Sequence, residues 1–194
     1  MKILHCITGL SGDGAQRMLL RLVRGLESQG IENVVASLAG RGQLAPEFEA
    51  LGVPVHALGM SGPTGFVSGL VALRRLVRAA CPDLIQGWMY HANVLALLSR
   101  DMRGSRLPVV WNIRRGLDDL QERKATTQAV IRGSAWTSSW ASRIIYCSER
   151  SRAQHEAAGF SSRASCVLGN GFDTGLFAPS EERSEEHTSE LQSH

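Results

Sequence analysis

The sequence predicts an α/β protein with an open, doubly wound parallel sheet, and three observations support this prediction. Strand-like and helix-like segments alternate along residues 1–168, which is typical of parallel strands joined by crossover helices. The strand-like segments are apolar along their whole length, which indicates burial on both faces of the sheet. Finally, a closed barrel of eight such units needs about 250 residues, whereas the chain has 194.

The elements follow, in order, from apolar periodicity and from the residues that end each segment. Apolar residues of the first helix have one-sided helical spacing, and Gly30 ends it. Gly52 ends the second helix, Pro82 breaks the third, and Gly159 ends the last. The predicted strands are 2–8, 33–38, 53–58, 84–88, 108–113, 143–147 and 164–168, and the predicted helices are 15–29, 44–51, 66–80, 92–102, 117–141 and 149–158.

The composition indicates a soluble globular protein, with 43% apolar and 20% charged residues. No apolar stretch is long enough for a membrane span, and the first residues lack the features of a signal peptide, so we expect a cytoplasmic protein. The four cysteines are far apart in the sequence and form no CxxC or CxxH pair. We therefore expect free thiols and no metal site.

The last twelve residues differ from the rest of the chain. Residues 183–194 show no apolar period, and they look like the translation of a sequencing-library adapter. We therefore expect one domain at 1–179 and a disordered tail at 180–194 that is artefactual from 183. This segment holds one arginine and three glutamates, so the remainder has 20 basic and 15 acidic residues, a net charge of +5.

A net positive charge favours acidic partners such as phosphorylated ligands or anionic lipid. The predicted helix 66–80 carries Arg74, Arg75 and Arg78 beside its apolar stripe. These side chains could contact a membrane surface peripherally, or they could form an ordinary solvated helix face.

In a sheet of this kind, ligands bind beyond the carboxyl ends of the strands. The first motif there is the glycine-rich turn at 9–14, after the first strand. Such a turn exposes backbone N–H groups and a helix N-terminus to an anion, although a purely structural turn fits as well. Dinucleotide binding is disfavoured because Arg17 stands where the third glycine should be. No phosphate-binding GxxxxGK[ST] sequence is present.

The second motif, Gln86-Gly-Trp-Met-Tyr-His-Ala-Asn93, ends the fourth strand. Trp88, Tyr90 and His91 there could stack on a sugar and hydrogen-bond to it. Alternatively, the two aromatic rings belong to the core and His91 lies beside a helix cap.

The third motif, Val110-Trp-Asn-Ile-Arg-Arg-Gly116, ends the fifth strand. Arg114 and Arg115 could bind phosphate, or they could be a solvated surface pair.

The fourth motif surrounds the last two strands. Ser148 is a predicted helix N-cap, and Asn170-Gly171 is a turn signal after the last strand.

Taken in order, these motifs resemble the family-4 retaining glycosyltransferases of GT-B architecture, over about residues 1–179. Residues 12–17, Gly-Asp-Gly-Ala-Gln-Arg, are similar to that family's GGxE/QR loop. Residues 168–179 resemble its "iPNGvD…F.P" segment, with Gly169 in place of proline. The resemblance identifies the chain as the Rossmann-like, amino-terminal half of a GT-B fold.

The resemblance implies transfer of a sugar from a nucleotide-diphosphate donor to a glycan or lipid-linked acceptor, without a metal or other cofactor and without nucleic acid. Arg114 occupies the position of a histidine that some members use, so His91 becomes the tentative catalytic residue or the acceptor is anionic. The family's glutamate pair belongs to the absent carboxy-terminal half, so we expect no turnover by this chain alone. The implied site residues are Gly12, Asp13, Gly14, Gln16 and Arg17 near the donor phosphates and acceptor, Trp88, Tyr90, Asn93, Asn112, Arg114 and Arg115 on the acceptor side, and Asn170, Gly171 and Asp173 between the domains.

Two other functions remain open from the sequence. One is a non-catalytic Rossmann-like module that binds a phosphorylated or sugar ligand. The other is half of a GT-B nucleotide-sugar epimerase. Neither the donor sugar nor the acceptor follows from the residues.

Overall fold

The computed structural model describes residues 1–60, 65–100, 107–118 and 125–171. Seven strands form one sheet in the order β3-β2-β1-β4-β5-β6-β7, and every neighbouring pair is parallel. The predicted open, doubly wound parallel sheet is therefore confirmed. The elements are β1 Lys2–Ile7, α1 Gly14–Glu27, β2 Glu32–Ser37, α2 Ala45–Ala50, β3 Val55–Ala57, α3 Gly65–Ala80, β4 Leu84–Trp88, α4 Tyr90–Ser99, β5 Val109–Ile113, α5 Ala125–Thr137 followed by a 3₁₀ turn Ser138–Trp140, β6 Arg143–Tyr146, α6 Glu149–Ala157 and β7 Ser165–Val167.

Two apolar clusters cover the sheet, one on each face. The larger cluster joins alternate residues of the central strands, among them Leu4, Ile85 and Trp111, to α3, α4 and α5. The smaller cluster joins the opposite face, including Ile7 and Trp88, to α1 and α2. Burial on both faces explains why the strands are apolar throughout.

Several predicted boundaries are wrong, each for a local reason. The fourth helix begins at Tyr90, directly after β4, and not at 92. Met89 makes this possible with a positive φ of 68°, which turns the chain abruptly between strand and helix. The predicted strand 53–58 pairs only over Val55–Ala57, at the edge of the sheet. The predicted helix 117–141 is a helix from Ala125 that tightens into a 3₁₀ turn, and 119–124 lie outside the described residues.

Gly87 lets α4 lie directly against the sheet. A Cβ on Gly87 would stand 2.5 Å from Oδ1 and 2.7 Å from Cα of Asn93, in the first turns of α4. Since Asn93 is part of the helix backbone, α4 would have to move as a whole to make room. The start of α4 is therefore fixed by the absence of a side chain at this position.

We expect Gly87→Ala to destabilise the fold by about 1–3 kcal/mol or more, because a packed helix must shift. Urea unfolding followed by circular dichroism measures this change. Gly25→Ala is the matched control, since an added Cβ there meets nothing within 4 Å. It lies inside α1 and should raise stability by about 0.5–1 kcal/mol. Equal effects of the two substitutions would contradict the packing argument.

His5 is a fully buried histidine in β1. Its Nε2 atom lies 2.9 Å from Oδ1 of Asn33. Desolvation lowers the pKa of His5 from 6.5 to about 4. Because the folded pKa lies below the unfolded one, the stability linked to His5 is fully present above pH 6.5 and is lost as the pH falls toward 4.

We expect His5→Gln to flatten the fall in unfolding free energy between pH 6.5 and 4 by up to about 1.4 kcal/mol per pH unit, the effect of one proton. Denaturant midpoints measured across this range test it. His56→Gln, which removes an exposed histidine, should leave the slope unchanged. A slope that is the same in His5→Gln and the native chain would disprove the assignment.

Candidate functional site

The candidate site lies where the strand order reverses, between β1 and β4. These two strands are neighbours, with Ile7 opposite Trp88 at their carboxyl ends. The connection after β1 leads through α1 to β2 on one side, and the connection after β4 leads through α4 to β5 on the other. Divergent connections of this kind open the crevice in which doubly wound proteins bind ligands.

The glycine-rich loop after β1 has a fixed shape. Gly12 has a φ of 108°, which side chains disfavour. Oε1 of the buried Gln16 accepts hydrogen bonds from the backbone N–H groups of Gly12 and Asp13, at 2.5 and 3.2 Å. Ser11 donates its hydroxyl to the Asp13 carboxylate at 3.1 Å. Gln16 therefore orders the loop from within.

A second loop, which the sequence did not indicate, braces the first. Gly42 has a φ of 66°, and a Cβ there would overlap the backbone of Leu10. Leu44 donates its N–H to the Leu10 carbonyl at 3.0 Å, and the Leu10 side chain is buried. The glycine-rich loop is thus held between Gln16 and the segment after β2.

A pocket of about 230 Å³ opens beside this loop. Three arginines line it, two from α1 and one from the segment after β5, and no acidic side chain of the described residues lines it. It brings together Gly14 and Arg17 from the first motif, Arg114 from the third and Asn170 from the fourth. The lining residues are Gly14, Ala15, Arg17, Met18, Arg21, Arg114 and Asn170.

Arg114 forms one wall of the pocket and is held on several sides. Its Nη1 donates to the Leu168 carbonyl at 2.7 Å and to Oδ1 of Asn170 at 3.3 Å. Its guanidinium carbon lies 5.8 Å from the centre of the Trp88 ring. Burial lowers the pKa of Arg114, but a guanidinium remains charged at neutral pH. Within the described chain, Nε of Arg114 is buried without a hydrogen-bond partner.

The other two arginines approach from α1. Nε of Arg17 donates to the Gly12 carbonyl at 3.1 Å, and Nη1 of Arg21 donates to the Gly171 carbonyl at 3.4 Å. Arg21 was not predicted, although its spacing of four residues from Arg17 places both on one face of the helix. Together with the N-terminus of α1, the guanidinium groups make the pocket electropositive.

The aromatic rings of the second motif belong to the core. Trp88 and Tyr90 are buried, and the Tyr90 hydroxyl lies 2.8 Å from Nε2 of the buried His155. The interpretation as core residues therefore describes this structure, and sugar stacking on either ring would require it to leave the core. Asn93 and Asn112 are also buried, and their side-chain amides have no hydrogen-bond partner among the residues described.

His91 lies in the first turn of α4 with an exposed side chain. Partial desolvation lowers the pKa of His91 from its ordinary value and so favours the neutral imidazole. The preceding Met89 combines a φ of 68° with a ψ of 171°, a conformation that costs a non-glycine residue about 1–3 kcal/mol. Strain of this kind concentrates at ligand sites and switch regions.

Among the described residues, four of the predicted site residues line the pocket: Gly14, Arg17, Arg114 and Asn170. His91 does not line it. The Arg115 side chain is exposed, and its carbonyl accepts a hydrogen bond from the Ser151 hydroxyl at 2.9 Å. Asp173, like the tail 180–194, lies outside the described residues.

The described ranges contain no group of three or more His, Cys, Asp or Glu residues arranged to hold a metal ion. Among the helices in these ranges, none has the length and apolar character needed to cross a membrane.

Comparison with solved structures gives matches over almost the whole chain. A crystal structure of Anabaena Alr3699/HepE in complex with UDP matches 99% of this chain with a TM-score of 0.76 at 20% identity. A lipopolysaccharide outer core galactosyltransferase, WaaB, matches 89% with a TM-score of 0.71 at 14% identity. A UDP-N-acetylglucosamine 2-epimerase matches 88% with a TM-score of 0.58 at 14% identity.

The chain spans about half the length of these proteins, since the matches cover 50%, 46% and 48% of their chains. No curated protein sequence matches it. The sequence profile of the glycosyl transferase 4-like domain, however, matches residues 13–171. That range includes all the pocket-lining residues and four of the five loop residues singled out from the sequence. The chain therefore belongs to the glycosyl transferase 4-like family and has the Rossmann-like fold of an amino-terminal GT-B half.

Proposed function

We propose that the chain is the acceptor-side half of a glycosyltransferase that moves a sugar from a nucleotide-diphosphate donor to a glycan or lipid-linked acceptor. The observation that carries the proposal is the electropositive pocket at the carboxyl edge of the sheet. Arg17, Arg21 and Arg114 converge there on the N-terminus of α1, with no carboxylate lining the pocket among the described residues. A diphosphate is an anion that such a pocket fits.

The comparisons support the donor class. Alr3699/HepE, which shares the fold, has been crystallised with UDP and with UDP-glucose. Because this chain spans only half of that protein, it supplies one wall of the cleft. The resemblance to family-4 enzymes assigns most donor contacts and the glutamate pair to the other half.

His91 is the candidate for proton exchange with the acceptor hydroxyl. A general base must be unprotonated at the working pH, and partial desolvation lowers the pKa of His91. Its place at the end of β4 puts it at the ligand edge of the sheet. His91 would exchange this proton in an enzyme that contains both halves of the fold.

Two other functions would use the same pocket or the same fold. A binding module would use the same electropositive pocket without chemistry, and an epimerase half shares the fold, as the structural match shows. Sequencing the gene beyond Ser180 separates these possibilities. A following α/β domain with the glutamate pair supports a transferase, whereas a stop codon there supports a binding module.

We expect the 194-residue chain to bind inorganic pyrophosphate weakly, and Arg17→Ala or Arg114→Ala to weaken this binding about 10-fold or more. The reason is the loss of a charge-assisted hydrogen bond, which contributes about 1.5–3 kcal/mol. Isothermal titration calorimetry measures the affinity. Arg24→Ala is the matched control, because Arg24 is exposed in the last turn of α1 and does not line the pocket.

UDP should bind this chain with the same affinity as pyrophosphate, since the nucleoside contacts are expected in the other half. Much tighter binding of UDP would contradict the proposed division of the donor site. If Arg17→Ala and Arg114→Ala bound pyrophosphate as tightly as Arg24→Ala, the pocket would not be a phosphate site.

We also expect the chain alone to show no sugar transfer and no hydrolysis of UDP-glucose, because the glutamate pair is absent. Chromatographic assay of released UDP over long incubation measures both reactions. Turnover that survives purification and disappears in His91→Ala would show that this half is catalytically sufficient, against the expectation.

A further inference from the structure

Two exposed tryptophans form a surface that the proposed sugar transfer does not use. Trp136 and Trp140 are 75% and 49% exposed, and their rings meet edge to face with centroids 5.3 Å apart. The chain's other tryptophans, Trp88 and Trp111, are fully buried. Large apolar side chains that remain together in solvent mark an interaction surface.

The segment that carries these rings is held firmly from beneath. Oγ1 of Thr137 donates to the Gly133 carbonyl at 2.9 Å. Oγ of Ser138 donates to the Ala135 carbonyl at 2.6 Å and accepts from the Ser161 N–H at 2.8 Å. The side chains of both residues are buried. The two rings are therefore presented by an ordered end of α5 and the 3₁₀ turn.

Positive charge surrounds the rings. Arg132 precedes Trp136 by one helical turn, and Nη1 of Arg100 donates to the Trp140 carbonyl at 3.4 Å. Arg143 follows Trp140 by three residues, and its side chain is exposed. Segments 84–100, 125–148 and 157–171 contain four arginines and no aspartate or glutamate. One carboxylate adjoins them, since Oε1 of Glu156 accepts a hydrogen bond from the Ser165 hydroxyl at 2.6 Å.

A polar pocket of about 240 Å³ adjoins the 3₁₀ turn, and Arg163 lines it together with several serines. Among the described residues, Oγ of Ser142 accepts a hydrogen bond from the Val109 N–H at 3.2 Å, and Oγ of Ser161 accepts one from the Arg163 N–H at 3.4 Å. Each of these hydroxyls keeps a hydrogen to donate. Hydroxyl donors beside a guanidinium are the groups that bind a phosphate.

This surface lies at the amino edge of the sheet, because the 3₁₀ turn leads into the start of β6 and Ala164 precedes β7. The glycine-rich loop and its arginines lie at the opposite, carboxyl edge. An occupant of the tryptophan surface would therefore leave the sugar-nucleotide cleft open.

We propose that Trp136, Trp140 and the arginines around them dock the protein on an anionic phospholipid bilayer, with a lipid phosphate in the pocket lined by Arg163. Tryptophan rings favour the membrane interface, and cationic side chains are attracted to anionic headgroups. Two copies of the chain would fit poorly face to face, since a symmetric contact would bring arginines against arginines. The proposal holds whether or not the chain takes part in sugar transfer.

The membrane contact predicted from Arg74, Arg75 and Arg78 has less support. Nε and Nη2 of Arg74 donate to the Leu98 carbonyl at 3.2 and 3.0 Å, so this guanidinium caps the end of α4. On the same helix, α3, the exposed apolar residues Phe66, Val67 and Val71 offer a second surface, and the two valines serve for comparison.

The test is co-sedimentation of the 194-residue chain with vesicles of phosphatidylcholine alone or mixed with phosphatidylglycerol. We expect binding only to the mixed vesicles, and weaker binding in high salt. Trp136→Ser combined with Trp140→Ser should reduce it about tenfold or more, and Arg163→Ala about fivefold. Val67→Ser combined with Val71→Ser is the matched control and should bind like the native chain; thermal unfolding verifies that each variant is folded.

Tryptophan fluorescence gives a second readout. Phosphatidylglycerol brominated in its acyl chains should quench the native chain, and the double tryptophan variant should lose this quenching because Trp88 and Trp111 are buried. Four outcomes would overturn the proposal: no binding to mixed vesicles, unchanged binding by the double tryptophan variant, loss of binding only in the valine variant, or tryptophan-dependent binding to polyglutamate or to a second copy in place of vesicles.

Discussion

The pairing of β1 with β4 is the contact on which the arrangement of the functional residues depends. Ile3 to Ile7 lie beside Leu84 to Trp88 in parallel register, so the loops that follow the two strands emerge at the same edge. Their connections then diverge, α1 toward β2 and α4 toward β5. The crevice between them is a consequence of strand order and needs no special residue. Particular residues decide only how closely the two loops can approach a ligand.

Glycines and strained backbone allow the two loops to approach a ligand closely. Gly87 has no Cβ and so admits α4, and Met89 turns the chain into the helix with a positive φ. On the other side of the crevice, Gly12 takes a φ of 108° while Gln16 satisfies its N–H group. α4 thus begins almost at the sheet, and α1 begins after the glycine-rich loop at the same edge. The N-termini of both helices lie at the edge where a phosphate would be bound.

The fold could be predicted from the sequence because its signals are local: apolar strands, one-sided helices and glycines or a proline between them. The site could be predicted only as separate motifs. Gly14, Arg17, Arg114 and Asn170 were each identified beside the end of a strand, and parallel topology alone brings such ends together. Trp88 and Tyr90 were ambiguous because their burial depends on distant partners, Arg114 over one ring and His155 against the other. Arg21 was missed because an exposed helical arginine has no local signal until its helix is placed against the sheet.

The carboxyl and amino edges of the sheet present different backbone groups, because the described strands all run in the same direction. Backbone N–H groups of helix N-termini collect at the carboxyl edge, where three arginines add to their positive potential. At the amino edge the helices end, and their terminal carbonyls attract cations; Arg74 and Arg100 bind such carbonyls, of Leu98 and Trp140.

Arginines at the amino edge therefore have a structural reason to be there, but exposed tryptophans have none. Trp136 and Trp140 contact each other but leave 75% and 49% of their surface in solvent, so the pair is better explained by a contact outside the chain. A bilayer contact at that edge would turn the sugar-nucleotide cleft toward solvent, an orientation that fits a soluble nucleotide donor and a soluble glycan acceptor and does not fit a lipid-linked one.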